Sequence, residues 1–146
     1  MTETLRLRIS DTTALLARIV VGVVFLAHGL PKAADLAGTA GGFGAMGVPF
    51  PQFAALLAVA AEVGAGVALV VGFALPVAGV ALALMMGGAY AFAHVGDPLV
   101  GGFELPLVLG AAALALGFSG GRYAVDRLMP WGRVRGERGT AESVPA

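Results

Sequence analysis

Two charged side chains inside apolar segments are the residues most able to do chemistry. Glu62 lies near the centre of residues 51–72, which are otherwise uncharged, and Arg18 lies in the apolar segment before it. A charge at bilayer depth is expensive unless it faces a partner or a polar cavity. With Thr12 and Gly72 as the ends of the two segments on one side, a rise of about 1.5 Å per residue puts Arg18 roughly 9 Å deep and Glu62 roughly 15 Å deep. These depths predict an ion pair between Arg18 and Glu62.

The role of this pair has more than one interpretation. It is either an ion pair that fixes the register of two helices, or a site that binds a substrate or moves protons. If Arg18 instead extends to the aqueous surface, Glu62 is left neutral and able to exchange protons. Small residues share the helical face of Glu62, so a neighbouring helix is expected to cover the carboxylate.

A second group of polar residues is expected near the opposite face of the membrane. Antiparallel helices would bring together the candidate ligand-binding residues of this group, which are His28, Lys32, Tyr90, His94 and Glu104, with Asp97 beside them. His28 is ten residues beyond Arg18, or about 15 Å along a helix, so this outer cluster and the ion pair are predicted to be two separate places.

Three interpretations of the outer cluster compete. Two histidines and two carboxylates could bind a divalent metal, but no tight His-x-x-His or Glu-x-x-His spacing occurs, and no metal site is predicted. Histidines at a membrane interface are also commonly just hydrated, hydrogen-bonded residues. The third interpretation is a site for a quinone-sized molecule, in which His28 or His94 contacts a carbonyl oxygen.

The composition is that of a membrane protein. Of the 146 residues, 58% are hydrophobic and 12% are charged, whereas soluble domains carry about 25% charged residues. The chain has no cysteine, which excludes a cysteine nucleophile, thiolate ligands and disulfide exchange. Redox work would therefore need a cofactor or a partner, with quinone as the candidate cofactor. The charge distribution gives no indication of nucleic-acid binding.

The apolar residues fall into four segments, which predicts an all-α, integral membrane four-helix bundle. The first segment runs from Ala14 to Leu30, and Pro31 is expected to end or bend its helix. Residues 51–93 are about twice the roughly 20 residues that one span needs, so they predict two helices with a turn between Gly72 and Pro76. The fourth helix is expected over about Glu104 to Phe118.

The connection over residues 32–50 contains five glycines and Pro49. It is too broken for a spanning helix, and we expect an exposed or re-entrant loop that is a candidate lid.

The chain divides into a polar lead over residues 1–13, a transmembrane domain over 14–119 and a basic tail over 120–146. Within that tail, residues 122–129 could form an interfacial helix, Trp131 would lie at headgroup level, and residues 136–146 are expected to be disordered.

The distribution of basic residues predicts the orientation. Seven basic residues lie at the two ends of the chain and only Lys32 lies on the opposite side, and basic residues accumulate on the cytoplasmic side. Both termini are therefore predicted to be cytoplasmic, in a multi-pass protein of the inner cell membrane whose neighbours are the lipid bilayer and, as a candidate, a redox-enzyme subunit.

Several short motifs occur in a fixed order along the chain. They are an Arg early in helix 1, His28-Gly29-Leu30-Pro31-Lys32, a Gly-rich loop with Phe43 and Gly47-Val48-Pro49, Glu62 followed by Gly64 to Gly72, and Gly120-Gly121-Arg122-Tyr123-Ala124-Val125-Asp126. Their order and spacing resemble the DoxX family of small four-helix membrane proteins, over about Ala14 to Arg127.

The resemblance implies a redox-related role. Members of the wider group are described as oxidoreductases or as membrane subunits of them, including thiosulfate:quinone oxidoreductase, and some are linked to oxidative-stress complexes with a superoxide dismutase and a sulfurtransferase. The family pattern points to Arg18, His28, Lys32, Glu62 and Asp126 as recurrent positions. The absence of cysteine argues against a direct role in sulfur redox chemistry.

These observations lead to one functional hypothesis and two alternatives. The hypothesis is a DoxX-like membrane subunit of a redox or oxidative-stress complex that binds a quinone or small apolar molecule. The alternatives are a transport or binding protein, in which Arg18 and Glu62 line a path for protons or a small solute, and a membrane anchor for a cytoplasmic enzyme. Whether the chain is itself an enzyme is left open by the sequence.

Overall fold

The computed structural model describes residues 2–119 and 121–129, and this part of the chain contains helices and turns but no strand. It has four helices that are long and apolar enough to cross a membrane. This confirms the predicted all-α class with four spans, while the direction in which the chain crosses the membrane stays a prediction. The main helices are α1 (Glu3–Ala34), α2 (Leu36–Ala45), α3 (Pro51–Val71), α4 (Leu75–His94) and α5 (Glu104–Phe118). A π-helical segment, Leu99–Phe103, leads into α5 and completes the fourth span, Leu99–Phe118.

Helix α1 is longer than predicted at both ends. It begins at Glu3 rather than near Ala14, so most of the predicted polar lead is helical. The hydroxyl of Thr12 donates to the carbonyl of Arg8 at 2.9 Å, which places this residue inside the helix rather than at its end. At the other end α1 continues through Pro31 to Ala34, so the prediction that Pro31 ends the helix is wrong.

The Gly-rich connection is also different from the prediction. Instead of a broken loop it contains α2, which packs against α3. Asp35 begins this helix, because its Oδ1 accepts a hydrogen bond of 2.8 Å from the backbone N–H of Gly38. A side-chain oxygen at this position satisfies one of the N–H groups that have no partner in the first turn. A role for this segment as a lid stays a prediction.

The end of the bundle where α1 begins, called the tail end below, is closed by the turn between α3 and α4. Gly72 has a φ of 79°, a left-handed conformation that favours glycine, and Pro76 lies in the first turn of α4, as predicted. The segment after α5 folds back over this turn, and the N–H of Asp126 donates to the carbonyl of Gly72 at 2.9 Å. Only Val125–Leu128 is helical there, as a single 3-10 turn, so the predicted interfacial helix is much shorter.

Close contact between helices depends on glycines, which have no side chain to hold the helices apart. A Cβ at Gly79 in α4 would lie 2.6 Å from the carbonyl oxygen of Ala113 in α5, and Gly117 is just as tightly placed against α4. This is the packing expected where lipid supplies no hydrophobic force to bring helices together. The core below these contacts is formed mainly by Phe25, Leu69, Leu75, Leu82, Leu109 and Leu116.

Predictions for Trp131, for Arg133, Arg135 and Arg138, and for the disordered residues 136–146 lie outside the described residues. The hypothesis of a membrane anchor depends largely on these positions and stays a prediction. The same holds for the division of the chain into a lead, a membrane domain and a tail.

Candidate functional site

The carboxylate of Glu62 is paired with Lys32. The ammonium Nζ of Lys32 lies 2.7 Å from Oε1 and 2.5 Å from Oε2 of Glu62. The Glu62 side chain is 5% exposed and the Lys32 side chain is 26% exposed. The predicted ion pair between Arg18 and Glu62 is therefore wrong, because the cation at Glu62 comes from the opposite end of α1.

The continuation of α1 through Pro31 explains why Lys32 reaches Glu62. If the helix ended at Leu30, Lys32 would belong to a surface loop, but in the structure it lies one turn beyond His28 on the same face of α1. Gly29 brings the two helices into contact, because a Cβ at this position would lie 2.8 Å from the Cβ of Glu62. The close approach fixes the vertical register of α1 against α3.

Glu62 also lies in an irregular part of its helix. Ala60–Ala65 in the middle of α3 is π-helical, and so is Tyr90–His94 at the end of α4. Single π-helical turns inside α-helices are uncommon and occur frequently at functional sites. The two segments contribute Glu62 and His94 to the same region of the molecule.

A polar cavity of about 210 Å³ lies on one side of the Lys32–Glu62 pair. His28, Lys32, Glu62 and His94 supply its polar atoms, and Phe25, Met86 and Leu109 are among its apolar walls. Glu62 is therefore part of the predicted outer cluster, and the prediction of two separate places is wrong for this residue. Below, this space is called the polar cavity.

A second cavity, apolar and of about 260 Å³, also borders this pair. Its walls come from the segment around α2 and from α3 and α4, and include Phe43, Met46, Leu57, Met85 and Phe92. Lys32, Glu62 and Ala89 line both cavities. The ion pair therefore lies at the boundary between a polar and an apolar space.

The remaining predicted residues have other positions. Tyr90 lines neither cavity and packs edge-on against Phe103, with ring centroids 5.2 Å apart. Glu104 is exposed at the start of α5 and also lines neither cavity. Asp97 lies outside the polar cavity, with its Oδ2 3.0 Å from Nδ1 of His94.

No three histidine or acidic side chains come together as metal ligands anywhere in residues 2–119 and 121–129. The groups that face the polar cavity are instead an ammonium, a carboxylate and two imidazoles. They can donate hydrogen bonds to a carbonyl oxygen or accept them from a hydroxyl group. The arrangement fits a polar organic ligand.

Arg18 belongs to a different cluster at the tail end. Its side chain is buried, at 1% exposure, and its terminal nitrogen NH2 donates to the carbonyl of Tyr123 at 2.9 Å. Asp126 is the acidic residue that interacts electrostatically with Arg18. Both oxygens of Asp126 also accept backbone hydrogen bonds at the start of α4, from Ala74 at 2.7 Å and Leu75 at 2.9 Å. This cluster ties the end of the described chain to the turn between α3 and α4.

The five family positions thus separate into two groups. Arg18 and Asp126 lie at the tail end, and His28, Lys32 and Glu62 lie at the polar cavity. The capping role of Asp126 was missed at the level of sequence. Its only signal was the motif Gly120-Gly121-Arg122-Tyr123-Ala124-Val125-Asp126, directly after the last helix.

Four membrane-length helices with a charged pair between two cavities define the chain as an integral membrane protein of the helical-bundle type. The family model of DoxX matches residues 13–95, which is more than half of the chain. The chain belongs to the DoxX family, as its motifs predicted.

The chain is similar in sequence to two named bacterial proteins. The chain is 32% identical over 123 residues to "Putative oxidoreductase CatD" of Bacillus subtilis (strain 168), a match covering 84% of this chain and 90% of the relative. It is 41% identical over 59 residues to "Inner membrane protein YphA" of Escherichia coli (strain K12), covering 40% of this chain and 42% of that relative. No solved structure matches the chain.

Proposed function

We propose that the chain is a quinone-binding membrane subunit of an oxidoreductase complex. The observation that carries the proposal is the Lys32–Glu62 pair, with its carboxylate buried and its ammonium partly exposed, at the wall of a cavity that His28 and His94 also line. Intramembrane charges mark functional sites by default when they face a cavity. The name of the Bacillus subtilis relative supports a redox-related role.

The chemistry of the pair suits both redox forms of a quinone. The Lys32 ammonium has three donors and can hold the carbonyl oxygen of the oxidised ring, whereas the Glu62 carboxylate can accept a hydrogen bond from the hydroxyl group of the reduced ring. His28 and His94 can act as donor or acceptor at the same cavity. Because the chain has no cysteine, we assign the electron-transferring group to a partner subunit.

We place the protein in the cell membrane with both termini in the cytoplasm. The excess of basic residues at the chain ends and the name of the Escherichia coli relative support this placement. The orientation can be measured on single-cysteine variants, because the chain has no cysteine of its own that would also be labelled. A membrane-impermeant maleimide added to intact cells should label a cysteine in place of the exposed Val95 (Val95→Cys) and not Ser119→Cys, and the reverse pattern would overturn the orientation.

The binding proposal is tested by titrating a short-chain ubiquinone into the purified protein in lipid nanodiscs. The Glu62→Gln variant is compared with Glu104→Gln, which changes an exposed carboxylate at the same end of the bundle. We expect Glu62→Gln to weaken binding about tenfold, the equivalent of one charge-assisted hydrogen bond. Glu104→Gln should leave the affinity unchanged.

A thermal melt of each variant separates loss of binding from loss of folding. His28→Gln provides a second test, because this side chain lines the cavity without taking part in the ion pair. We expect weaker binding in this variant with an unchanged melting temperature. Absence of binding to the unmodified protein, or equal binding by all of these variants, would refute the proposal.

A further inference from the structure

The apolar cavity has a size and a position that the binding of a quinone ring does not explain. Pockets that enclose a whole small ligand usually measure about 300–1,000 Å³. The polar cavity measures about 210 Å³ and the apolar cavity about 260 Å³. Each is therefore large enough for part of a ligand but small for a whole one.

The two cavities share the residues at which such a ligand would be held. Lys32, Glu62 and Ala89 line both of them, so a molecule at the ion pair contacts both spaces at once. Beyond these shared residues the walls differ. The polar cavity adds two histidines, whereas the apolar cavity adds only apolar residues such as Phe43, Met85 and Phe92.

We infer that the apolar cavity is the binding site for the first part of the apolar tail of an amphiphilic ligand whose polar ring lies at Lys32 and Glu62. This inference rests on the proposed function, and it specifies the ligand as a ring that carries a prenyl chain. The segment around α2 covers the tail, because Phe43, Met46 and Val48 form one wall of the cavity.

The position of Gly88 offers a way to fill this cavity selectively. Gly88 lines the apolar cavity, and a Cβ added there would meet no atom within 4 Å. Its neighbour Gly87 has the same open space but faces outward and lines neither cavity. Gly88→Leu and Gly87→Leu are therefore a matched pair with the same change in side chain and helix propensity.

The experiment measures the affinities of a tailless methoxybenzoquinone and of the same ring with two prenyl units, in nanodiscs containing each variant. We expect Gly88→Leu to weaken binding of the prenylated ring about tenfold, since an overfilled apolar site costs free energy of that size. Binding of the tailless ring should be unchanged. Gly87→Leu should bind both probes as the unmodified protein does.

The experiment distinguishes failure of the tail site from failure of the proposed function. If both variants bind the prenylated ring equally well, or if Gly88→Leu weakens the two probes alike, the tail site is refuted while binding of the ring stands. If the unmodified protein binds neither probe, the proposed function fails and the tail site fails with it. Ala54→Leu, on another wall of the apolar cavity, repeats the test should Gly88→Leu not fold, as judged by its thermal melt.

Discussion

The two charged clusters on α1 look alike in sequence and differ in structure. Arg18 and Lys32 are fourteen residues apart on nearly the same face of one helix, which corresponds to about 21 Å. Lys32 pairs directly with the carboxylate of Glu62, whereas Arg18 donates to the carbonyl of Tyr123 and has the carboxylate of Asp126 as a nearby charge. The Arg18 side chain is fully buried, whereas Lys32 is partly exposed and lines two cavities.

The two clusters differ in whether their charged side chains also bond to the backbone. Asp126, near Arg18, is engaged by two backbone N–H groups at the start of α4, and Arg18 itself donates to a backbone carbonyl. These bonds hold chain segments together and cannot be exchanged without moving the backbone. At the other end, the side chains of Lys32 and Glu62 bond to each other and, within residues 2–119 and 121–129, to no backbone group, so a ligand can replace one of these bonds while the backbone stays in place. We therefore expect the first cluster to serve stability and, on the proposed function, the second to serve binding.

The largest expected effect is the loss of stability when Arg18 is removed. In Arg18→Met the carbonyl of Tyr123 loses its donor and Asp126 loses its neighbouring cation. Losing a buried hydrogen bond from a charged group together with a neighbouring cation costs about 3 kcal/mol. We expect a loss of that size in the free energy of unfolding, measured by denaturation in detergent.

The control for this variant is Arg8→Met, which removes an exposed arginine from the same helix. It should change the free energy of unfolding by less than about 0.5 kcal/mol. The folded fraction of Arg18→Met should still bind the quinone probe with unchanged affinity. Weaker binding by that folded fraction would show that the tail-end cluster is part of the site.

A smaller effect is expected at Asp126. Asp126→Asn keeps the shape of the side chain but removes the negative charge at the N-terminal end of α4. Because an amide accepts through a single oxygen, Asn can keep only one of the two backbone bonds, and losing the other together with the charge at the helix dipole costs about 1–2 kcal/mol. Thermal unfolding followed by circular dichroism should show this loss.

Asp11→Asn serves for comparison, because Asp11 makes an exposed hydrogen bond to the N–H of Arg122 at 2.9 Å. It should cost at most about 0.5 kcal/mol, because the amide oxygen of Asn can still accept this single exposed bond. If the two aspartate variants were equally stable, Asp126 would not hold the tail end together as described.

Much of the fold could be predicted from the sequence because the signals are local. The apolar lengths gave four spans, and the turn at Gly72 and Pro76 and the bounds of α5 follow from glycine, proline and charge positions. The ends of α1 and the existence of α2 could not be predicted in this way. Pro31 and the glycines of α2 disfavour helix locally, and contacts between helices outweigh that preference.

The candidate site was predicted in part. The sequence identified Glu62, His28, Lys32 and His94 as polar residues of interest, but it paired Glu62 with the wrong cation. The choice between Arg18 and Lys32 depends on the vertical register of α1 against α3. That register depends on the close approach at Gly29, and counting residues from assumed helix ends does not reveal it.

The central claim, that the Lys32–Glu62 pair serves binding rather than stability, is tested most directly by replacing both residues. Lys32→Met alone leaves a buried carboxylate without its cation, which should cost about 3 kcal/mol of unfolding free energy. The double variant, Lys32→Met with Glu62→Met, replaces the pair by apolar side chains of similar length, and such replacements are often neutral or stabilising. We predict that the double variant regains the stability of the unmodified protein and does not bind the quinone probe. A double variant that stays as unstable as Lys32→Met, or that binds the probe with unchanged affinity, would contradict the account.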